Sequence, residues 1–489
     1  MHIIKTSFIL FFISLLFSAR GQTSVIQDSL PKPTSADSLR IIPKNPLHAA
    51  GFIISTNLAV WSFDRFILKA PFARINFNTI QRNFKSGFVW DNDMFETNLF
   101  FHPYHGGLYF NAARSNGLNL WQSVPMAAGG SLMWEFCMEN DPPGINDFMA
   151  TTIGGTCLGE MTFRISDLLI DNRAMGSDRF LREMLLTIIS PILGLNRLIS
   201  GEAWKHRSIR GNTLLLAPVV FYSTIGYRIM ADDIPEIQDA RKNVSLDLGL
   251  YYGNPFDPDN EKPYDFFSLK AGGNIFSQQR FISHVNALGL LFSKNITLRK
   301  PHSQLLLGIF QHFNYYQATS DINNTSLNPY KISEAASVGT GLLFKTNLTR
   351  HFSFLSSAHL SAILLGGSQT DYYKHDLRDY NMGSGFSSKL NFVLEWGSKA
   401  RIMLNSEDYR IYSWIGYDSN KAGEISTNVQ GDICNASLSV VSLNFNYIIN
   451  RHFLLTAETG YYYRRSIYKY YSNVSHRTTE NKLSVGYIF

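Results

Sequence analysis

From Val244 to the final Phe489 apolar side chains recur at every second position, and that period limits what half of the chain can become. Val244, Leu246, Leu248, Leu250 and Tyr252 alternate with Ser245, Asp247, Gly249 and Tyr251. Leu390, Phe392, Leu394 and Trp396 share one phase, with Asn391 and Glu395 in the other. Val441, Leu443, Phe445 and Tyr447 repeat the pattern against Ser442, Asn444 and Asn446, and Leu483, Val485, Tyr487 and Phe489 close it. Successive side chains of a strand point to opposite faces, so each run is a ribbon with one apolar side. About eleven such runs lie between 244 and 489. Residues 213–229 supply a twelfth, against which stands Pro218, a residue that cannot donate to a sheet ladder.

A row of half-apolar ribbons has two ways to hide its apolar sides. Two stacked layers would make a soluble sandwich, and closure into a ring would make a barrel whose apolar side faces lipid. The links favour the ring. Short ones, Thr349-Arg350-His351, Gly397-Ser398-Lys399 and Ile449-Asn450-Arg451, alternate with long polar ones at 317–331, 366–382 and 415–434. That asymmetry belongs to membrane barrels with tight periplasmic turns and long outer loops. Closure also satisfies every backbone group in a medium without water. Charged residues are only 17% of the chain and aromatic ones 14%, which suits a lipid-facing wall. Tyr487 and Phe489, ending an alternating strand, resemble the signal read by the outer-membrane assembly machinery.

The front of the chain reads as an export signal over 1–21. Lys5 gives a basic start, Phe8 to Phe17 is apolar, and Ser18-Ala19-Arg20-Gly21 supplies small residues before Gln22. A short membrane anchor is the alternative, but the run is shorter than the roughly 20 residues a span requires. No cysteine follows the cleavage point, so no lipoprotein is expected. Leu47 to Phe63, interrupted by His48, Ser55, Thr56 and Asn57, is the nearest thing to a later spanning helix and falls short. These features place the mature protein in the outer membrane of a Gram-negative bacterium. A net charge of +6 is too small and scattered for nucleic acid. Cys137, Cys157 and Cys434 form no disulfide framework and no metal-ligand spacing; a Cys137–Cys157 bridge and two separate core thiols both fit.

Residues 22–44 are rich in Ser, Pro, Asp and Lys and read as a flexible linker. Its triplets Asp28-Ser29-Leu30 and Asp37-Ser38-Leu39 resemble the O-glycosylation sites of Bacteroidota exported proteins, though a plain linker needs no such role. From 45 to 207 the period is helical. Asn45 and Pro46 start a helix over 47–68, helices follow at 106–115 and 118–139, and Pro142-Pro143-Gly144 is a stop. Asn146 or Asp147 caps a helix to about Ile170. Ser177 or Asp178 caps another over 179–200, kinked near Pro191. The segment 76–101 reads as strand or loop. The expected fold class is therefore α+β: an N-terminal helical bundle, periplasmic or plugging the barrel, then an antiparallel transmembrane β-barrel of about 12 strands over 210–489.

The helical region carries the polar clusters that could do chemistry. His102-Pro103-Tyr104-His105-Gly106 precedes Arg114. Trp134-Glu135 and Glu139 put two carboxylates at i, i+4, one face of a helix. Asn146-Asp147, Thr151, Gly154-Gly155, Gly159-Glu160 and Arg164 follow, the glycines making a ridge for close helix contact. At these residues the chain resembles the uncharacterised family catalogued as domain of unknown function 3943, over roughly residues 95–170. The resemblance implies an outer-membrane setting and no assigned activity.

Two readings of the set follow. In one, His102, His105, Glu135, Glu139 and Asp147 converge as acid, base or metal ligands of a membrane-embedded hydrolase or lipid-modifying enzyme. In the other, Arg114, Trp134, Thr151, Gly155, Gly159, Glu160 and Arg164, with the carboxylates, fix the packing of a non-enzymatic protein with a structural, transport or envelope-maintenance role. The second is preferred, because no His-Glu-x-x-His, Gly-x-Ser-x-Gly or Ser-x-x-Lys motif occurs. No cofactor and no metal is implied; outer-membrane lipid and the assembly machinery are the expected partners. Adhesion through the long loops is a weaker third idea. In the barrel, Arg401, Glu407, Asp408 and Arg410 are candidates for the lumen, and Glu202, Lys205, His206 and Arg207 read as a solvated edge.

Overall fold

The computed structural model describes residues 39–90, 93–214, 217–234, 240–258, 260–275, 281–298, 302–318, 328–373, 379–416 and 431–489. The export signal, the linker up to Ser38 and both Asp-Ser-Leu triplets except Leu39 lie outside the described residues. The chain forms two compact units. Of the described residues, those of 39–90 and 100–214 form a helical unit, and those from 217 onward, together with the short segment 93–99, form a barrel unit.

The barrel has twelve strands: β1 Val219–Asp232, β2 Arg241–Tyr252, β3 Phe267–Ile275, β4 Ile282–Ile296, β5 Ser303–Ala318, β6 Tyr330–Asn347, β7 Phe352–Gln369, β8 Tyr380–Trp396, β9 Ala400–Ser413, β10 Cys434–Ile448, β11 Phe453–Tyr468 and β12 Val474–Ile488. Each pairs antiparallel with the next, and β12 returns to β1 over the register Tyr222↔Ile488 to Asp232↔Thr478. The first strand begins one residue after Pro218, so the proline sits where its missing N–H costs no ladder bond. The apolar phase faces outward. Ile225, Leu307, Leu360, Phe392, Leu443 and Leu483 are exposed, while Arg228, His312, Glu334, Glu480 and Lys482 on the other phase are buried in the lumen. A closed sheet with an apolar outside is an outer-membrane barrel. Among the described residues no helix is long and apolar enough to cross a membrane, so the strands do the crossing.

The two rims differ. One carries the links 348–351, 397–399 and 449–452, and the other carries 319–329, 370–379 and 414–433. The first two long links are shorter than the sequence suggested, because β5 to β8 run into them, and the third keeps its expected length. One long link falls on the short-turn rim instead. Residues 253–266 fold back so that Phe256 and Phe266 join Leu290, Leu306, Phe310 and Leu343 in a buried cluster.

The segment from Asp93 to Leu99 packs on the barrel near the long-loop rim. The Phe95 ring lies 5.3 Å from both Tyr315 and Tyr380. The Asn98 amide donates to the Tyr380 hydroxyl at 2.7 Å, and that hydroxyl donates to the Asp93 carbonyl at 2.8 Å. Gln317 donates to Glu96 at 2.8 Å. The side of the wall follows from strand alternation. Tyr316 reaches across the lumen to Glu407, so its neighbours Tyr315 and Gln317 point outward. Tyr330 stacks inside on Tyr462, so Lys331, whose ammonium lies 5.3 Å over the Phe95 ring, also points outward. Segment 93–99 therefore lies on the outward face of the barrel wall.

In the helical unit α1 runs Pro46–Ser62, with the Asn45 side chain accepting from His48 N at 3.0 Å, and a π-helical turn continues it over Phe63–Leu68. Residues 76–101, expected as strand or loop, hold a helix α2, Phe77–Ser86, closed by an Asn76–Thr79 capping box, and a π-helical turn at Thr97–Phe101. That turn leads straight into α3, His102–Ser115; α4 is Leu120–Cys137 with a capping box at Asn119 and Gln122. The helix expected from Asn146 to Ile170 runs unbroken over Ile145–Leu169 and carries a π-helical turn: α5 Ile145–Met149, the turn Ala150–Gly154, and α6 Gly155–Leu169. The expected kink at Pro191 is a full break. Ser190 leaves helical geometry at φ −132° and separates α7, Gly176–Ile189, from α8, Pro191–Ile199. All three cysteines are free.

Candidate functional site

The centre of the helical unit is the crossing of α3 and α6. A Cβ on Gly155 would lie 2.6 Å from the Gly106 backbone, and one on Gly106 would overlap the Thr151 carbonyl. One turn on, a Cβ on Gly159 would meet Phe110 at 2.9 Å. The backbones touch because these positions have no side chain, and their contact fixes what flanks them.

Beside the crossing lies a buried ion triad. Glu160 accepts from Arg114 Nε at 2.7 Å and from Arg164 Nε at 2.8 Å. Arg114 also donates to the Leu118 carbonyl at 2.8 Å and lies 4.5 Å over the Phe163 ring. Asp167, one turn further along α6, accepts from Thr213 N, Thr213 Oγ1 and Leu214 N at 2.9, 2.8 and 3.0 Å, clasping the strand that leads to β1. Burial raises its carboxyl above the usual range despite those bonds.

The sequence-predicted acid–base set divides. His102 and His105 stand in the first turn of α3. His102 Nε2 is 3.4 Å from Asp147 Oδ1, and its Nδ1 is 3.4 Å from Thr151 Oγ1. Asn146 also donates to Asp147 at 2.7 Å. His105 faces away into an aromatic pocket, 4.6 Å from Tyr109 and 5.1 Å from Trp134. Burial, with His102 nearby, pushes its imidazole down to about 3. Glu135 accepts from Gly144 N at 2.8 Å. Glu139 is bound by the Trp134 indole at 2.5 Å. Glu135 belongs to α4 and Glu139 to the turn beyond its end at Cys137; burial, with both carboxylates nearby, raises the Tyr109 phenol. Of the five, His102 and Asp147 approach within 3.4 Å, and His105, Glu135 and Glu139 surround Tyr109 and Trp134. Among the described residues no three His, Cys, Asp or Glu side chains gather as a metal would require.

Two buried networks were missed by sequence reasoning. Asn57 on α1 donates to the Gly130 carbonyl at 3.1 Å and accepts from the Tyr109 hydroxyl. Glu202, expected on a solvated edge, is buried and bound by Arg40 and Arg207, each at 2.9 Å. Burial would raise its carboxyl, but these cations hold it below the usual range. Neither pairing has a sequence spacing that announces it.

The lumen is the other place where function could reside. Arg401 and Glu407 face it as expected, with Arg401 on Glu395 at 2.5 Å and Glu407 accepting from Tyr316 at 2.9 Å. Asp408 and Arg410 do not. They occupy the opposite phase of β9 and pair with each other at 2.9 Å outside. The interior is spanned by side chains. Tyr330 on β6 stacks on Tyr462 on β11 at 4.6 Å, and Tyr316 on β5 meets Tyr409 on β9 at 5.9 Å. Met230, Ile332, Ile363, Ile411, Leu438 and Val440 complete that layer. Between it and the short-turn rim, Arg228 pairs with Glu480 at 2.6 Å, Lys389 with Glu334 at 2.7 Å, and Lys482 with Asp247 and Glu458 at 3.1 Å. Inward residues nearest that rim, such as Glu395, Arg401, Asn405 and Ser442, are part-exposed.

The family model described as Domain of unknown function (DUF3943) matches residues 87–192. That match covers the helix crossing, the ion triad and His102, and it bears out the resemblance read from these motifs. Solved structures similar to the chain are outer-membrane proteins. The NanC porin is 12% identical, covering 54% of this chain and 98% of its own, with a TM-score of 0.26. The toluene transporter TodX of Pseudomonas putida is 9% identical, covering 56% and 90%, with a TM-score of 0.22. OmpT of Vibrio cholerae is 8% identical, covering 55% and 97%, with a TM-score of 0.24. The fold assignment rests on the strand pairing itself. No curated protein matches the sequence.

Proposed function

We propose that this outer-membrane barrel is a non-conducting scaffold with an envelope-structural role, not a diffusion pore. The observation that carries this reading is the packed layer across the lumen, in which Tyr330 and Tyr462, on strands β6 and β11, are stacked at 4.6 Å. A porin of this strand number has room for a small solute only if its interior side chains leave it. Here they interdigitate. Lipid on the outer wall and the assembly machinery at the β12 seam, where Tyr487 and Phe489 pack at 4.9 Å, are the partners of such a scaffold. The test is single-channel recording of the refolded protein in planar bilayers. A scaffold gives a quiet membrane, and steady conductance steps of porin size would refute it.

A second reading keeps the hydrolase alternative, now narrowed to His102, with Asp147 on one ring nitrogen and Thr151 on the other, each at 3.4 Å. His105, Glu135 and Glu139 serve in it as supports. It predicts that His102→Ala leaves the heat-modifiable migration of the barrel intact while abolishing release of products from outer-membrane lipid or cell wall. Unchanged product release, or none from the wild type, removes this reading.

A further inference from the structure

We infer that the helical unit is bedded in membrane lipid, with α1 and the π-helical turn after it presenting an apolar face to acyl chains. The argument starts from polarity that runs the wrong way for a water-soluble bundle. An amphipathic helix on an aqueous surface turns its polar face outward. Helix α1, Pro46–Ser62, has no charged residue, and its buried stripe includes Thr56 and Asn57. Its outward face carries Leu47, Ile54 and Leu58, which are 85%, 45% and 46% exposed. Helix α4 repeats the inversion, with Ser123, Ser131 and Glu135 inside and Trp121 and Leu132 outside. The unit's centre is ionic, as the Glu160 triad shows, and its periphery along α1 and α4 is greasy. Polar groups facing the bundle interior and apolar ones facing out is the arrangement lipid selects.

The patch is continuous. Phe63, Phe66, Ile67 and Leu68 follow α1 directly, all more than half exposed. Basic Lys69 and Arg74, both exposed, come next and suit the phosphate level of a headgroup region. An area of this kind on a monomer marks a partner. Lipid is favoured over a protein partner because the chain is an outer-membrane barrel protein and because the patch ends in basic residues that complement lipid phosphates. Phe88 and Phe101, elsewhere in the unit, are exposed as well. Among the described residues no helix is long and apolar enough to span, so the contact inferred is with the interface. The inference stands whether or not the lumen conducts.

The test uses the full chain in a Cys137→Ser background, since Cys157 and Cys434 are buried. Single cysteines replacing Leu58, Phe66 and, as a water-facing control, Asp178 are labelled with bimane, and each variant is checked for heat-modifiable migration. In vesicles of brominated phosphatidylcholine the labels at 58 and 66 lose emission, while aqueous iodide leaves them bright and quenches the label at 178. Iodide quenching at 58 and 66 without bromolipid quenching would show a wetted surface and overturn the inference. Quenching by neither agent would show a second copy or another protein covering the face, and would overturn it equally.

Discussion

Glu160 is the residue on which the helical unit most depends, and replacing it by Ala tests that directly. The carboxylate is fully buried and compensates two guanidinium groups, those of Arg114 and Arg164, at 2.7 and 2.8 Å. Deleting one member of a buried ionic group leaves uncompensated charge, at a cost of about 3–5 kcal/mol. Arg114 has a minor exposed edge and can turn toward water, which puts the expected loss toward the lower end. For a unit of this size each kcal/mol moves the midpoint by about 2–4 °C, so Tm of the helical transition should fall by about 6–15 °C. Helical circular dichroism of the reconstituted protein follows that transition, and gel migration of unboiled samples follows the barrel, which should be unaffected. The triple replacement Arg114→Met, Glu160→Met, Arg164→Met should recover most of the loss, because no charge is then left without a partner. A helical midpoint that Glu160→Ala leaves unchanged, or a triple variant worse than the single one, would refute the view that the triad acts as one unit.

Two further predictions concern the same crossing. The imidazole of His105 has a folded pKa of about 3, against 6.5 for an exposed ring. Below pH 6.5 the unfolded chain therefore binds the extra proton, and stability falls by about 1.4 kcal/mol per pH unit, or about 2 kcal/mol by pH 5. His105→Phe should flatten that slope in denaturant titrations run between pH 5 and 8, and an unaltered slope would mean the ring is not the titrating group. Gly155→Ala places a methyl 2.6 Å from the Gly106 backbone, where no side chain can yield. A destabilisation of about 1–3 kcal/mol is expected from such overpacking, read as a lower helical midpoint.

The strands were legible because their period is 2 and one face must meet lipid, so pattern and solvent agree from Val244 to Tyr487. The same logic sorted Arg401 and Glu407 into the lumen, and applied strictly would have sent Asp408 and Arg410 outside, where they are. The helices were less legible at their breaks. The π-helical turns at Phe63–Leu68, Thr97–Phe101 and Ala150–Gly154 leave no composition signal, since an extra residue per turn is decided by packing. The polar cluster was legible in its residues and less so in their partners: Glu139 lies in the turn after α4 ends, where no helical spacing foretells that the Trp134 indole binds it. Cross-lumen pairs such as Tyr330 and Tyr462 join strands five apart in the ring and are beyond any local period.

The pairing of β1 with β12 also shapes how the protein can be made. Eleven residue pairs join the strand that leaves the ribosome first in this sheet to the one that leaves last. Until they meet, two raw edges with unsatisfied amides and carbonyls are open to any passing strand. The largest loop of the molecule must be drawn shut in one event, which makes late closure slow.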